Sequence, residues 1–236
     1  MRKIDFANNE IYHIFNRGVE KRKIFLDDKD YFRFVHDLFE FNDEAPAENI
    51  FYKFSEVESY EVQPRKIPRK IKGPRKLLVE ILVFCLMPNH FHLLLRQKKD
   101  GGITKFMQKL GTGYTLSFNG KYKRVGHLFQ GAFKAILIDK QNHFLNLPYY
   151  VHLNPLDLKF PEWRVRKLND HTKAVEFLNN YRWSSHLDYL GKKNFPSITN
   201  REFLLDVFGG QDKYKQNIEK WLGDFEFGGV RDIALE

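Results

Sequence analysis

Two histidines one residue apart, His90 and His92, lie in the run Met87-Pro88-Asn89-His90-Phe91-His92-Leu93-Leu94-Leu95. In an extended strand, residues two apart project from the same face, so the two imidazoles point together while Phe91 and Leu93 point the other way. A pair fixed in this way on a rigid element is suited to holding a cation, and the adjoining Pro-Asn turn leaves it open to a large substrate. A lone His-x-His is common and usually binds nothing. Here, however, two polar rings stand among apolar strand residues and need a compensating role.

A second group of reactive side chains occurs in Pro148-Tyr149-Tyr150-Val151-His152-Leu153-Asn154-Pro155. Tyr150 and Asn154 are four apart and share one face of a helix. A phenol able to attack a phosphate and an amide oxygen able to complete a metal's ligand set would belong together like this. The competing reading makes Tyr149 and Tyr150 core aromatics and Asn154 a helix end. Tyr114 is a rival nucleophile, eleven residues after Ile103. At roughly 100° per residue it falls about 20° from Ile103, inside an apolar stripe, and is expected to be packed. Gly111 and Gly113 keep it in play by loosening that helix. Imidazoles with an amide and open positions suit Mn²⁺ well and Mg²⁺ adequately, whereas Zn²⁺ favours a closed tetrahedral site.

These residues need a frame. Ile11 to Asn16 reads as a strand running into a turn at Arg17-Gly18. A helix follows from about Asp28, which can cap it, to Asn42. Residues 43–76 read as an inserted loop whose second half, Pro64 to Lys76, carries seven cations among three prolines; such a segment buries too little apolar surface to order itself and is expected to be mobile. Strands are expected at 78–87 and 90–96, a helix from Ile103 to about Phe118, and a fourth strand from His127 to Ile138. Asp139 should cap a last core helix, disturbed by Pro148 and stopped by Pro155 at Asn154. The order strand, helix, strand, strand, helix, strand, helix is a split βαβ pattern: an α+β, ferredoxin-like antiparallel sheet with helices packed on it. Residues 1–155 are expected to form the core and 156–236 a helical C-terminal extension. In that extension Thr199-Asn200-Arg201-Glu202 reads as a capping box, and Tyr214, Ile218, Trp221 and Leu222 as a helical stripe.

The 236 residues are 42% apolar, enough for a substantial core, and carry a net charge of +9. A positive surplus favours a polyanion, because each phosphate neutralised releases condensed counterions; nucleic acid is the first expectation and an acidic membrane surface the second. Arg17 and the loop cations Arg65, Lys66, Arg69, Lys70, Lys72, Arg75 and Lys76 are the expected phosphate contacts. A single cysteine, Cys85, excludes an intramolecular disulfide and suits the cytoplasm. The N-terminus lacks the apolar stretch of a secretory signal. The most apolar window, 77–95, is interrupted by Glu80, Pro88, Asn89 and both histidines, and makes a poor membrane span.

Taken together, Met87-Pro88-Asn89-His90-Phe91-His92-Leu93, Tyr150-Val151-His152-Leu153-Asn154-Pro155 and Trp183-Ser184-Ser185, with Asn16-Arg17-Gly18 and Gly126-His127-Leu128-Phe129-Gln130-Gly131, resemble the REP-associated tyrosine transposases, within the single-strand tyrosine transposases that carry a His-hydrophobic-His nuclease core. The likeness covers roughly residues 11–190, and it is the ordered set of motifs that is specific. It implies that His90, His92 and Asn154 bind Mg²⁺ or Mn²⁺ and that Tyr150 is the nucleophile. It further implies a single-stranded DNA substrate, often near a hairpin-forming repeat, that is cut and rejoined through a 5′-phosphotyrosine. A monomer or a homodimer fits this expectation. Two other classes remain open: a non-catalytic module that binds single-stranded nucleic acid, and a replication initiator or relaxase of the same nuclease type.

Overall fold

The computed structural model describes residues 5–47, 74–165 and 167–223. The expected phosphate contacts Arg65, Lys66, Arg69, Lys70 and Lys72 lie outside those residues.

Four strands form one antiparallel sheet: β1 (Ile11–Arg17), β2 (Val79–Met87), β3 (His90–Gln97) and β4 (Lys134–Leu137), in the spatial order β2-β3-β1-β4. This is the split βαβ arrangement, with β3 between β1 and β2. The β-branched and aromatic side chains of β1, with Phe91 and the three leucines of β3, suit a sheet centre buried on both faces. One face carries Tyr12, Ile14, Phe84, Leu86, Phe91 and Leu93, and packs against α1 (Asp28–Glu40) and α2 (Gly102–Lys121) through Phe34, Leu38, Phe106, Leu110 and Tyr114. Gly113 permits that packing, since a Cβ there would stand 2.4 Å from the Phe41 ring.

The other face, with Cys85, Met87 and Leu94, is covered by α3 (Gln141–Leu153) and by helices of the extension: α4 (His171–Asn180), α5 (His186–Tyr189), α6 (Arg201–Phe208) and α7 (Gln211–Gly223). Tyr214, Ile218, Trp221 and Leu222 are buried as the stripe on α7 predicts. The Trp183-Ser184-Ser185 segment runs beside the outer strand β2. Leu86 N–H donates to Trp183 O and Ser185 N–H to Phe84 O, while the Ser185 hydroxyl accepts from Phe84 N–H. The motif thus covers a sheet edge that would otherwise expose unpaired backbone groups.

Several local expectations need correction. The cap of α1 is Asp27, one residue earlier than expected; it forms a reciprocal capping box with Asp30. β4 begins only at Lys134, because Gly131 in a left-handed conformation (φ +80°) turns the preceding chain, which meets the sheet at a single Phe129–Gly18 bridge. Lys140, not Asp139, precedes α3, and it makes no side-chain cap. Pro148 does not interrupt α3, whose neighbours Leu147, Tyr149, Tyr150 and Val151 are all buried. The packing of that turn outweighs the roughly 3 kcal/mol a mid-helix proline costs. The end of α3 falls where expected, with Asn154 as its C-cap; Pro155 then enters a 3₁₀ turn, Asn154–Leu158, because a proline is tolerated in the first turn of a helix. The Thr199–Glu202 capping box does not form. Asn200 occupies the cap without a side-chain bond, and the Thr199 hydroxyl has no hydrogen-bond partner among the described residues.

Candidate active site

The central strand β3 carries both His90 and His92. His92 pairs with Cys85 and His90 with Met87, residues of the face covered by α3, so both imidazoles and Tyr150 belong to the same side of the sheet. The rings of His90 and His92 lie 5.0 Å apart at right angles. Each is held through its Nδ1: His90 by Asn89 Oδ1 at 2.7 Å and His92 by His13 Nε2 at 2.9 Å. An amide oxygen can only accept, so His90 carries its proton on Nδ1 and keeps the Nε2 lone pair for coordination. His92 Nε2 is buried and has no hydrogen-bond partner among the described residues.

Burial pushes His90 down to about 4, with Asp157 opposing that shift and Arg164 and Arg17 adding to it. It also holds His92 well below the ordinary histidine range, helped by the neighbouring rings and Arg164. Both imidazoles are therefore neutral near pH 7, as metal ligation requires.

In front of the histidines lies a cleft of about 300 Å³, whose lining includes Phe15, Arg17, Lys21, Asn89, Gln130 and Lys134. Arg17 donates to Gln130 Oε1, and the Lys134 ammonium stands 5.8 Å from the Phe15 ring centre. The turn after β1 folds tightly to bring Lys21 there. A Cβ on Gly18 would meet Arg22 O at 2.2 Å, and the non-glycine residues Glu20 and Lys21 both take positive φ (55° and 57°). Such conformations cost on the order of 1–2 kcal/mol each and persist only where surrounding structure enforces them.

On the same side of the sheet stand the tyrosine and its neighbours. Asn154 is fully buried; its Oδ1 accepts from Arg164 Nη2 at 3.0 Å, and its Nδ2 has no hydrogen-bond partner among the described residues. Arg164 Nη1 donates to the Tyr150 phenol oxygen, while Nε and Nη2 grip both oxygens of Asp157. Asp157 opposes and Arg164 adds to the shift on His90, so this cluster lies within electrostatic reach of that ring. The same helix is tied to the extension by a buried chain: Ser185 Oγ to His152 Nε2 at 2.7 Å, His152 Nδ1 to the Tyr214 hydroxyl at 2.8 Å, and that hydroxyl to His186 Nδ1 at 2.8 Å.

The rival Tyr114 sits on the opposite face, where its hydroxyl donates to Ile24 O at 2.5 Å. Arg75 bonds the carbonyls of Phe39 and Asn42 and stacks on the Phe39 ring, and Lys76 O accepts from Glu44 N–H, so this end of the loop is engaged within the molecule.

Sequence reasoning missed His13, Lys21, Lys134, Asp157 and Arg164. His13 carried the signal already used for the pair, a histidine in an apolar strand. The others have no local signature.

Among the described residues no three or more His, Cys, Asp or Glu side chains are so arranged that together they could hold a metal ion. The two imidazoles His90 and His92 could hold a cation, and Asn154, whose Oδ1 accepts from Arg164, is the third ligand that the motif resemblance implies. The buried, unpartnered His92 Nε2 fits such an ion. Among the described residues no helix is long and apolar enough to cross a membrane.

Residues 52–154 match the family model of IS200-like transposases, a span that includes both histidines, Tyr150 and Asn154. The resemblance to tyrosine transposases read from the motifs thus stands, and the class of protein to which this segment is similar is a transposase. Among solved structures, the REP-associated tyrosine transposase bound to a REP hairpin aligns with a TM-score of 0.52 and 11% identity, over 85% of this chain and 93% of its own. At that identity the likeness is one of fold. No curated protein sequence matches the chain significantly.

Proposed function

We propose that this protein cleaves and rejoins single-stranded DNA, with Tyr150 as nucleophile, in a reaction that depends on a divalent cation held by His90, His92 and Asn154. The observation that carries the proposal is the convergence on one sheet face of a buried imidazole nitrogen without a partner and a tyrosine and amide joined through Arg164. Residues 1–155 would form the catalytic core and residues 156–236 an extension that steadies the tyrosine helix.

Tyr150 Oη attacks phosphorus as the bond to the 3′-oxygen breaks; the phenol proton ends on that oxygen, leaving a 5′-phosphotyrosine and a free 3′-hydroxyl. The covalent link conserves the phosphoester, so a 3′-hydroxyl can reverse the step without ATP. Mg²⁺ or Mn²⁺, when bound, would supply charge neutralisation at the phosphoryl oxygen. His13 and Asn89 hold the imidazoles through their Nδ1 atoms, and conserve ligand orientation as outer partners do. Arg17, Lys21 and Lys134 neutralise flanking phosphates, and Asn154 Nδ2 offers a buried donor to a phosphate oxygen. Single-strand preference follows from access, since a duplex backbone bends poorly into a 300 Å³ cleft. The hairpin in the REP-associated relative supports a substrate of that kind.

Incubation of a labelled, hairpin-bearing single strand with Mn²⁺ tests the reading. The expected result is a denaturation-resistant protein–DNA adduct that disappears in Tyr150→Phe and in His92→Ala, both of which still bind the strand. Tight binding by the native protein without any adduct would instead make it a binding module.

A further inference from the structure

Arg164 lies in a 3₁₀ segment, Pro161–Val165, beyond the expected core, and the family match ends ten residues before it. Its guanidinium nonetheless touches the reacting atom. One edge, Nε with Nη2, is locked on the Asp157 carboxylate, which Trp163 Nε1 also holds at 2.6 Å. Nη2 reaches Asn154 Oδ1 at 3.0 Å, and Nη1 donates to the phenol oxygen of Tyr150. Burial works against this charge, but Asp157 and the phenol more than offset it and hold the guanidinium above its ordinary pKa. The donor is therefore permanently charged, fixed in plane and aimed at the oxygen where negative charge develops.

We propose that Arg164 is a catalytic residue of both cleavage and joining: it stabilises the charge on Tyr150 Oη as the phosphotyrosine bond forms and breaks. The proposal rests on Tyr150 being the nucleophile. In cleavage the P–O3′ bond breaks, the P–Oη bond forms and the phenol proton passes to the 3′-oxygen. In joining a 3′-hydroxyl attacks, the P–Oη bond breaks and its proton returns to the departing phenolate. The guanidinium cannot exchange that proton, because it does not deprotonate in proteins. It acts as a preorganised, charge-assisted donor, the kind of group whose removal slows acyl and phosphoryl chemistry most. A lysine, being a single point charge, cannot hold Asp157, Asn154 and the phenol at once.

A scaffolding arginine and a catalytic one predict different behaviour of the cation site. Arg164 places a positive charge beside that site and occupies one lone pair of Asn154 Oδ1, so its removal should leave Mn²⁺ affinity unchanged or raise it. Loss of a mere scaffold would weaken it. The experiment uses the full chain in single-turnover reactions at saturating DNA, following adduct formation and, from isolated adduct, transfer to a strand with a free 3′-hydroxyl. In Arg164→Ala both rate constants should fall about 10²–10³-fold, with DNA affinity retained, Mn²⁺ binding no weaker by calorimetry, and partial rescue by methylguanidinium. Arg164→Gln, which keeps an amide donor without the charge, should be slowed similarly and carries the test should the alanine variant not fold. Unchanged rate constants in the folded variant, or slowing matched by weaker Mn²⁺ binding with no rescue, would overturn the proposal. An adduct that still forms in Tyr150→Phe would refute the nucleophile reading instead.

Discussion

The two faces of the sheet treat their tyrosines in opposite ways, although both are almost fully buried, Tyr114 at 1% exposure and Tyr150 at 3%. On the α1/α2 face the Tyr114 hydroxyl donates a hydrogen bond to a backbone carbonyl, Ile24 O, and burial together with Asp30 and Asp37 holds its pKa well above the ordinary value. On the α3 face the Tyr150 oxygen accepts from the guanidinium of Arg164, whose side chain is 30% exposed. The first arrangement stores a proton in a core, and the second prepares an oxygen to carry charge. Burial alone therefore does not separate Tyr114 from Tyr150, the proposed nucleophile, whereas the charge of the partner does. His13, His90 and His92 also gather on the α3 face.

The comparison would break most visibly at the tyrosines. Tyr114→Phe should leave adduct formation intact, where Tyr150→Phe removes it, and should cost about 1–3 kcal/mol of stability for the carbonyl left without its donor. Adduct loss in Tyr114→Phe, with the fold preserved, would move the nucleophile to the other face.

A smaller effect is expected at His13. Removing a partner that orients a ligand lowers metal affinity about 10–100-fold, so His13→Ala should weaken Mn²⁺ binding by that factor in a calorimetric titration. An unchanged Kd would make the His13–His92 contact incidental.

The mildest test is pH. His90, His92, His152 and His186 all lie on the α3 side with pKa values depressed by burial, His90 to about 4 and His186 to about 3. In the unfolded chain each would titrate near 6.5, so the unfolded state binds more protons between these values. Stability is then complete above pH ~6.5 and falls by about 1.4 kcal/mol per pH unit per histidine as the pH drops towards 4. Urea melts across that range check the slope; a flat profile would mean that the histidines are not held neutral.

Much of the frame was legible because each signal is local. Alternation by two put His90 and His92 on one side of a strand, spacing by four put Tyr150 with Asn154, and the apolar stripe of α2 sent Tyr114 inwards. Boundaries were less legible. Gly131 shortened β4, and packing carried α3 through Pro148, both outcomes of surroundings that a short window does not contain. Trp183-Ser184-Ser185 was recognisable as a motif, but its pairing along the edge of β2 joins residues about a hundred positions apart.

Sequence alone thus determined which side chains share a face within each element, because backbone periodicity dictates that regardless of what lies nearby. Only the tertiary structure decided which faces meet. His13 lies opposite Leu94 and so diagonally from His92, a neighbour relation set by strand register. Arg164 reaches Tyr150 from fourteen residues away because long-range burial folds the 3₁₀ segment back on α3. Contacts of that kind depend on the packing of the whole chain, and no spacing rule encodes them.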